Sequence, residues 1–310
     1  MDVIVVGSCI VDLVSYAPRL PKAGETLIGT KFSVGFGGKG ANQCVAAAKL
    51  GAKVAMLSKV GDDQYGKDYI ENLRQLNIDT NDVSTAENTS TGVAQITVCD
   101  DGTNAIVVVL AACNEITIAD VEKAEDVIKS SRVLVCQLEV PIDVTCKALQ
   151  LAKKHGVKSI FNPAPAVKNL PPALYKICDI FCANETEAEI LTGIKLNNLD
   201  DAKAAVLNLL ELGCQLPMIT LGAEGVVFAT QDDRTVKHVP SRQVEAFDTT
   251  GAGDSFIGSL AFYISTFPKL SFEEVIRRAN YVASVSVQAA GTQTSFPERK
   301  NLPDSIFTEN

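Results

Sequence analysis

Short apolar segments alternate with segments of helical spacing along most of this chain, and this alternation limits the possible fold more than any other feature. The helical segment KGANQCVAAAKLG (39–51) is rich in small residues and closes at a glycine. The segments typical of buried strands are VIVVG (3–7), VAMLSKV (54–60), RVLVCQL (132–138), VKSIFNP (157–163), DIFCAN (179–184) and MITLG (218–222). The pattern predicts an α/β fold with a central, mainly parallel β-sheet flanked by helices.

Two stretches depart from this alternation and have the pattern of antiparallel strands. They are GETLIGTKFSV (24–34) and GVAQITVCDDGTNAIVVVL (92–110), the second with a hairpin turn at Asp101-Gly102. They predict a small β-sheet lid, inserted from about 12–35 and 91–111 into a single domain that covers 1–310. A sheet of this size needs a partner for its open face, so we expect a lid, a dimer contact or both.

Composition excludes several classes of partner. The net charge of −9 opposes a broad nucleic-acid or acidic-membrane surface. The longest apolar run, AIVVVLAAC (105–113), is far shorter than the roughly 20 residues that span a bilayer. Nine cysteines without a regular framework, and an amino end without a basic signal region, indicate reduced thiols. We therefore expect no nucleic acid and no membrane as partners, and a cytoplasmic location with which a nuclear presence is compatible.

A glycine-rich loop resembles two nucleotide-binding signatures but satisfies neither. Gly35, Gly37 and Gly40 have the G-x-G-x-x-G spacing, yet they follow a lid-like segment rather than the first strand. The second strand ends beside Lys59 instead of an acid for a ribose. Lys39 is followed by glycine, where a Walker A loop has serine or threonine. We predict neither a dinucleotide fold nor a P-loop.

A serine hydrolase is also a poor match. Gly-Asp-Ser at 253–255 offers a nucleophile, but His155 and His238 both precede Ser255 in the chain. The G-x-S-x-G elbow is absent because position 257 is isoleucine. We do not expect a Ser–His–Asp triad.

The stretch DTTGAGDSF (248–256) has the composition of an anion cradle with an acid beside it. Free amides of Gly251, Ala252 and Gly253 at a helix N-terminus would bind a phosphate. A charged Asp254 nearby would be costly unless it accepts a proton as the general base for attack on phosphorus. The alternative is an ordinary helix start, in which Asp254 only complements the helix dipole.

Five motifs resemble the ribokinase family of carbohydrate kinases, and the resemblance covers essentially the whole chain. They are GFGGKGANQCVAAAKLGA (35–52), NPAPA (162–166), NETEAEILTG (184–193), TLGAEGV (220–226) and DTTGAGDSFIGSLA (248–261). The resemblance implies a mainly parallel sheet with a β lid. It also implies ATP-dependent phosphorylation of D-ribose at the 5-hydroxyl to give ribose 5-phosphate.

The resemblance also implies roles for individual residues. Asp254 would be the base, with the amides of Gly251, Ala252 and Gly253 as the anion hole. Carboxylates and amides suit a polyol, because their oxygens accept hydroxyl protons. The implied sugar site consists of Ile10, Val11, Asp12, Gly38, Lys39, Gly40, Ala41, Asn42, Glu139 and Asp254.

ATP, Mg²⁺ and K⁺ are the cofactors that the resemblance implies. Hydrated Mg²⁺ would lie near the phosphates beside Asn184 and Glu187. The implied nucleotide site consists of Asn184, Glu187, Thr220, Leu221, Gly222, Ala223, Glu224, Gly225, Gly253 and Asn280. The implied site for the activating K⁺ consists of Asp248, Thr250, Ser286, Ala289, Gly291 and Ser295.

One departure from the family pattern and several alternatives remain. Ala112-Cys113-Asn114 stands where family members usually have Gly-Ala-Asn, which affects lid closure. The related alternatives are kinases for deoxyribose, adenosine, fructose or ketodeoxy-sugars; few aromatic residues (6%) disfavour a nucleoside. From another class, the chain would be a sugar-binding regulator without catalysis, which the intact Gly251–Asp254 segment opposes. We expect small-molecule sugar and ATP as ligands, and a homodimer formed through the lid.

Overall fold

Thirteen strands and ten α-helices form the described part of the chain, residues 1–309 of the computed structural model. The strands are β1 (Val3–Val6), β2 (Ile10–Ala17), β3 (Lys31–Gly37), β4 (Val54–Gly61), β5 (Val83–Ala86), β6 (Gly92–Cys99), β7 (Asn104–Val109), β8 (Val133–Cys136), β9 (Lys158–Phe161), β10 (Ile180–Asn184), β11 (Leu216–Thr220), β12 (Val226–Phe228) and β13 (Lys237–Val239). The helices are α1 (Lys39–Lys49), α2 (Gln64–Gln75), α3 (Ile118–Lys123), α4 (Glu125–Ser130), α5 (Ile142–His155), α6 (Pro172–Ile177), α7 (Glu185–Thr192), α8 (Leu199–Leu212), α9 (Ala252–Thr266) and α10 (Phe272–Ser286).

Nine strands make one large sheet in the order β13-β12-β11-β10-β9-β8-β1-β4-β5. The pairings from β5 to β11 are parallel, and the two pairings that add β12 and β13 are antiparallel. The predicted α/β fold with a mainly parallel sheet is therefore confirmed. The sequence did not indicate β5, nor the two antiparallel strands that follow β11.

Both faces of the large sheet are covered, which explains the continuous apolar runs in its strands. In β1 the side chains alternate between the two cores. Val3 and Val5 belong to the core beneath α1, α9 and α10, whereas Ile4 and Val6 belong to the core beneath α5 and α8. All four are fully buried, and each such side chain contributes about 1.5–3 kcal/mol relative to an exposed one.

Helices α1 and α9 cross closely because the contact is made of small residues. A Cβ atom built at Gly258 on α9 would lie 2.4 Å from the carbonyl oxygen of Gln43 and 2.6 Å from Cβ of Ala46 on α1. A larger residue at 258 would therefore push the helices apart. This crossing places the side chains of the first turns of α1 and α9 next to each other.

The remaining four strands form a small sheet in the order β3-β2-β6-β7. The expected hairpin at Asp101-Gly102 is confirmed, since β6 and β7 pair in antiparallel fashion around it. The predicted strand over 24–34 is placed too early: β3 spans Lys31–Gly37, because residues 18–30 form turns and loop. The chain enters the small sheet directly after β1 through β2, which runs parallel to β6 and antiparallel to β3.

Local sequence signals explain several element boundaries. At the start of α7, the side chain of Asn184 accepts a hydrogen bond from the backbone amide of Glu187. The side chain of Glu187 in turn accepts a hydrogen bond from the backbone amide of Asn184. Ser271 accepts from the amide of Glu274 at the start of α10. Within residues 1–309, no helix has the length and apolarity needed to cross a bilayer.

Candidate active site

Polar side chains gather at the carboxyl edge of the large sheet. Glu139, Asn162, Asn184 and Thr220 lie at or just after the ends of β8, β9, β10 and β11. Open α/β sheets bind ligands at this edge, because the strand ends and the helix N-termini meet there. The first turns of α1 and α9 reach the same edge, so Asp254 joins this group.

Asp254 is a buried carboxylate with two amide donors. It lies in the first turn of α9 and is 8% exposed. Nδ2 of Asn42 donates to Oδ2 at 3.0 Å, and Nε2 of Gln43 donates to Oδ1 at 2.9 Å. Both donors belong to α1, and they fix the orientation of the carboxylate. The sequence identified Asn42, but it gave no reason to select Gln43.

Two further carboxyl groups and one ammonium group surround Asp254. Burial raises the pKa of Asp12 to about 6, with the charges of Glu139 and Asp254 adding to the effect. Burial also raises the pKa of Glu139, although Lys39 and a 2.6 Å bond from Ser8 Oγ oppose it. Burial alone would lower the pKa of Lys39, but the carboxylates around it outweigh burial and raise it. The site is polar, crowded with charge and suited to hydroxyl groups.

The glycines of the glycine-rich loop allow other parts of the protein to pack closely against the backbone. A Cβ atom at Gly37 would lie 2.4 Å from Oδ2 of Asp12, and one at Gly40 would lie 2.5 Å from the amide nitrogen of Ser8. Gly37 therefore lets the Asp12 carboxylate approach the end of β3, and Gly40 lets the residues after β1 approach α1. The spacing reflects this packing, in agreement with the rejection of a dinucleotide site.

The turn before α9 has the geometry of an anion site, with one correction. Gly251 adopts φ 77°, a conformation that favours glycine, and a Cβ atom at Gly253 would meet no protein atom within 4 Å. The expectation of three free amides is wrong for Ala252, whose amide donates to the carbonyl of Thr249 at 3.2 Å because the turn closes on itself. In residues 1–309, no acceptor takes up the amide of Gly253.

Glu187 faces the same space from α7. Its carboxylate accepts from the amide of Asn184 at 2.9 Å and from Nδ2 of Asn184 at 3.1 Å. Burial raises the pKa of Glu187, while the bond from the backbone amide of Asn184, the charge of Lys39 and a bond from Asn162 oppose the shift. A cavity of about 150 Å³ separates Glu187 from the anion turn; its lining includes Lys39, Asn162, Asn184, Glu187, Thr220, Thr249, Gly251, Ala252, Gly253 and Asp254.

A second, larger cleft of about 440 Å³ opens from this cavity and shares part of its lining. The shared residues are Asn184, Thr220, Thr249, Ala252 and Gly253. The cleft also includes four further predicted residues, namely Gly222, Ala223, Gly225 and Asn280. Its remaining lining was missed by sequence reasoning and consists of Glu185, Ser241, Arg242, Val244, Ala246, Phe256, Ala283, Ser284 and Val287.

Several predicted site residues do not turn their side chains toward either space. Leu221 is buried in the core beneath α5 and α8, and Glu224 is exposed with its carbonyl bound to the His238 ring. Gly40 faces the end of β1. The side chains of three predicted sugar-site residues are buried among apolar neighbours: Ile10, Val11 and Ala41. These positions serve packing, because the strand and helix periods turn them inward.

Asp248 lies against the loop that follows α10. Its Oδ1 accepts from the amide of Thr250 at 2.9 Å, and its Oδ2 accepts from the amide of Gly291 at 2.9 Å. Burial would raise the pKa of Asp248, but these hydrogen bonds outweigh it and lower the pKa. The structure thus brings 248–250 together with the segment that contains Ser286, Ala289, Gly291 and Ser295. Oxygen donors of this kind fit a monovalent cation.

The departure at Ala112-Cys113-Asn114 lies at the exit from the small sheet. Ala111 has φ 42°, an uncommon conformation for a residue with a side chain. Ala112 and Cys113 are buried, and Sγ of Cys113 donates to the carbonyl of Cys9 at 3.4 Å. Asn114 is exposed. Cys113 therefore packs at the junction between the small sheet and the body, by which we mean the large sheet with its covering helices.

Comparison with known proteins defines the class of protein to which this site belongs. A family model described as "pfkB family carbohydrate kinase" matches residues 1–299. The chain belongs to this family of carbohydrate kinases.

Individual relatives narrow the resemblance further. The chain is 51% identical over 305 residues to a mouse ribokinase, covering 98% of this chain and 94% of the relative. It is 41% identical over 297 residues to a deoxyribokinase of Salmonella typhi, covering 96% of each. Among solved structures, a ribokinase from Arabidopsis thaliana complexed with ribose and ATP superposes with a TM-score of 0.88 at 29% identity, covering 97% of this chain and 96% of that chain.

Proposed function

We propose that this protein transfers the γ-phosphate of ATP to the 5-hydroxyl of D-ribose, giving ribose 5-phosphate. The observation that carries the proposal is the position of Asp254. Its carboxylate lies between a pocket of carboxylates and amides on one side and the turn at Gly251–Gly253 on the other. The mouse ribokinase and the Arabidopsis complex with ribose and ATP support this choice of substrates.

Asp254 acts as the general base in this proposal. Its carboxylate, oriented by Asn42 and Gln43, takes the proton of the sugar hydroxyl as that oxygen attacks phosphorus. Asp12 and Glu139 accept the other sugar hydroxyls and fix the orientation of the sugar. The free amide of Gly253 at the start of α9 stabilises charge on the transferred group.

The residues present fit the two proposed metal ions. Within residues 1–309 there is no group of three or more His, Cys, Asp or Glu side chains that could hold a metal ion. Mg²⁺ commonly binds through phosphates and waters, and Glu187 and Asn184 line the cavity in which it would lie. Mg²⁺ would neutralise phosphate charge when bound. K⁺ would lie at Asp248 and Thr250 with oxygens of Ser286, Ala289, Gly291 and Ser295, and would brace the turn before α9.

The small sheet is the proposed lid and dimer contact of a single domain spanning 1–310. All six residues of β7 are exposed, among them Ile106, Val107, Val108 and Val109 at 45–65%. An exposed apolar edge strand of this kind calls for a cover, and a second copy of the sheet would supply one. We also propose a cytoplasmic location, because all nine cysteines are unpaired and eight of them are buried.

Deoxyribose is the second candidate substrate. The deoxyribokinase of Salmonella typhi is 41% identical to this chain, and a sugar lacking one hydroxyl would fit the same pocket. An adenosine kinase from Sinorhizobium meliloti is more distant, with 25% identity and a TM-score of 0.78.

The test is an ADP-release assay with ATP, Mg²⁺ and a panel of ribose, deoxyribose, fructose, ketodeoxy-sugars and adenosine. We expect the highest kcat/KM with ribose. A higher value with deoxyribose would change the assigned substrate. The absence of turnover with every compound would refute the kinase and favour a sugar-binding regulator.

A further inference from the structure

The two amide donors to Asp254 are consecutive residues of α1, and each is held by another buried glutamine. An ionised carboxylate only accepts hydrogen bonds, so Asn42 and Gln43 must both turn their NH₂ groups toward it. Their carbonyl oxygens must then point away. The partners of these two oxygens decide whether both amides stay in the donating orientation.

Gln137 holds the carbonyl end of Gln43. Its Nε2 donates to Oε1 of Gln43 at 2.6 Å, and both side chains are fully buried. The NH₂ group of Gln43 is divided between Oδ1 of Asp254 at 2.9 Å and Oδ1 of Asn162, in the NPAPA motif, at 3.2 Å. Both hydrogens and the oxygen of Gln43 are therefore engaged, and the side chain cannot turn over without losing all three bonds.

The other end of Gln137 shows what determines its orientation. In the described residues, no donor reaches Oε1 of Gln137, although this atom is buried. Turning the amide over would place this oxygen against the oxygen of Gln43. Asp254 thus fixes the orientation of the Gln43 amide, and Gln43 in turn fixes the orientation of the Gln137 amide. Gly7 leaves the room for it, since a Cβ atom there would lie 2.2 Å from Oε1 of Gln137.

Gln293 holds the carbonyl oxygen of Asn42, as Gln137 holds that of Gln43. Its Nε2 donates to Oδ1 of Asn42 at 3.2 Å and to the hydroxyl of Tyr69 at 3.0 Å. Its Oε1 accepts from Nδ2 of Asn72 at 3.2 Å, which fixes the orientation of Gln293 itself. Gln293 is 7% exposed and lies two residues beyond Gly291, so this branch begins in the loop that contacts Asp248.

We propose that Gln137 and Gln293 are positioning residues for Asp254, acting through Gln43 and Asn42. The inference rests on the proposed function, in which Asp254 is the base. If either glutamine is lost, the oxygen of the amide that it holds loses its donor, and that amide is held less firmly against the carboxylate. The carboxylate is then fixed less firmly in the orientation in which it accepts the proton.

The experiment uses Gln137→Met and Gln293→Met in the full chain, with kcat, the sugar KM and Tm as readouts. We expect kcat to fall about tenfold in each variant, as for loss of one bond to a charged group. Gln293→Met should also raise the sugar KM, because Asn42 belongs to the proposed sugar site, whereas Gln137→Met should leave KM unchanged.

The two branches contact Asp254 through different oxygens. The loss of kcat in the combined variant should therefore exceed either single loss; the single losses need not multiply, because both branches end on one carboxylate. A combined loss no greater than that of one single variant would contradict two separate branches.

A matched control separates positioning from damage to the fold. Thr145 Oγ1 donates to the backbone oxygen of Gln137 at 2.9 Å, so Thr145→Val removes a buried bond to the same residue but leaves its amide in place. We expect Thr145→Val to lower Tm while kcat and the sugar KM stay at wild-type values. Should Gln137→Met not fold, Gln137→Asn replaces it, because the shorter amide cannot span the distance to Gln43.

Folded variants at 137 and 293 with wild-type kcat would overturn the inference, as would a change in Tm alone. Failure of the proposed function is a separate result. It would appear as absent turnover of ribose in the wild-type protein, before any variant is compared.

Discussion

The apolar strands of the large sheet and of the small sheet differ in how completely they are covered. The large sheet is covered by helices on both faces, and its strand β1 is completely buried. The small sheet leaves β7 exposed along its whole length, and only its residues Ile10 and Ala94 join Cys113, just after the sheet, in a small buried cluster. The large sheet therefore needs no partner beyond its own helices, whereas the stability of the small sheet depends on a partner that covers β7.

The residues of the proposed site are also divided between these two parts of the molecule. Asp254, Glu139 and Glu187 are carried by the body, where helices and strand ends hold them by several hydrogen bonds. Asp12, on β2, is the acidic group that the small sheet contributes. We infer that the chemistry belongs to the large sheet and its helices, and that the small sheet adds Asp12 to the residues that bind the sugar. The predictions below test this division, from the largest expected effect to the smallest.

Replacing the base should have the largest effect. Asp254→Asn keeps the shape of the side chain but removes the proton acceptor, so we expect kcat to fall by roughly 10²–10⁴ while ATP still binds. Steady-state ADP release and calorimetric titration with ATP measure the two quantities. Asp126→Asn, at an exposed position of α4, is the matched control and should keep the wild-type rate. If Asp254→Asn retains more than half of the wild-type kcat, the base lies elsewhere.

The proposed cation site should have the next largest effect. A cation at Asp248 would brace the turn whose amides face the phosphate, and one such donor is worth about 10²–10³ in rate. We expect higher activity in K⁺ than in Na⁺ at matched ionic strength, with the difference lost in Asp248→Ala. Equal wild-type rates in the two salts would remove the cation from this account.

A smaller effect should appear in sugar binding as a function of pH. Because the pKa of Asp12 is raised to about 6, its carboxyl group takes up a proton as the pH falls through 6. The ionised form is the better acceptor of sugar hydroxyls, so we expect the Kd for ribose to rise between pH 7 and pH 5. Calorimetry without ATP measures this. Asp12→Asn should bind more weakly with a flatter pH dependence, and an equally steep dependence would assign the titration to another group.

The smallest effect on catalysis should come from the exposed edge of the small sheet. Charged substitution at Val107 and Val109, on one face of β7, should separate a dimer into monomers, because like charges would meet across the contact. Sedimentation velocity should show a dimer for the wild type at micromolar concentration. We expect the sugar KM of the variant to rise while kcat changes little. A wild-type monomer would refute the dimer contact.

The sequence predicted the body better than the small sheet, for a physical reason. Buried parallel strands such as β1 are continuous apolar runs, and helix starts such as Asn184 carry capping signals. Strand β2 was missed because IVDLVSYA mixes polar and apolar residues on a sheet with one open side. Its partner β3 was placed too early, because a loop without regular structure precedes it.

The site shows a similar limit. Asp254, Glu187 and Asn184 could be selected because they stand in short motifs whose spacing has a chemical reason. Gln43 and Gln137 are 94 residues apart and meet only when α1 packs beside the end of β8. Their role depends on which atom of each amide faces which neighbour, and no local pattern of residues contains that information.

The central claim is that the body transfers phosphate from ATP to one hydroxyl of ribose. Two-dimensional ¹H–³¹P NMR of the product made from ribose, ATP and the wild-type protein tests it most directly. The account predicts a new phosphate resonance coupled to the two protons on C5, formed in step with ADP. A phosphate coupled to the anomeric proton, or ATP left unchanged, would contradict it.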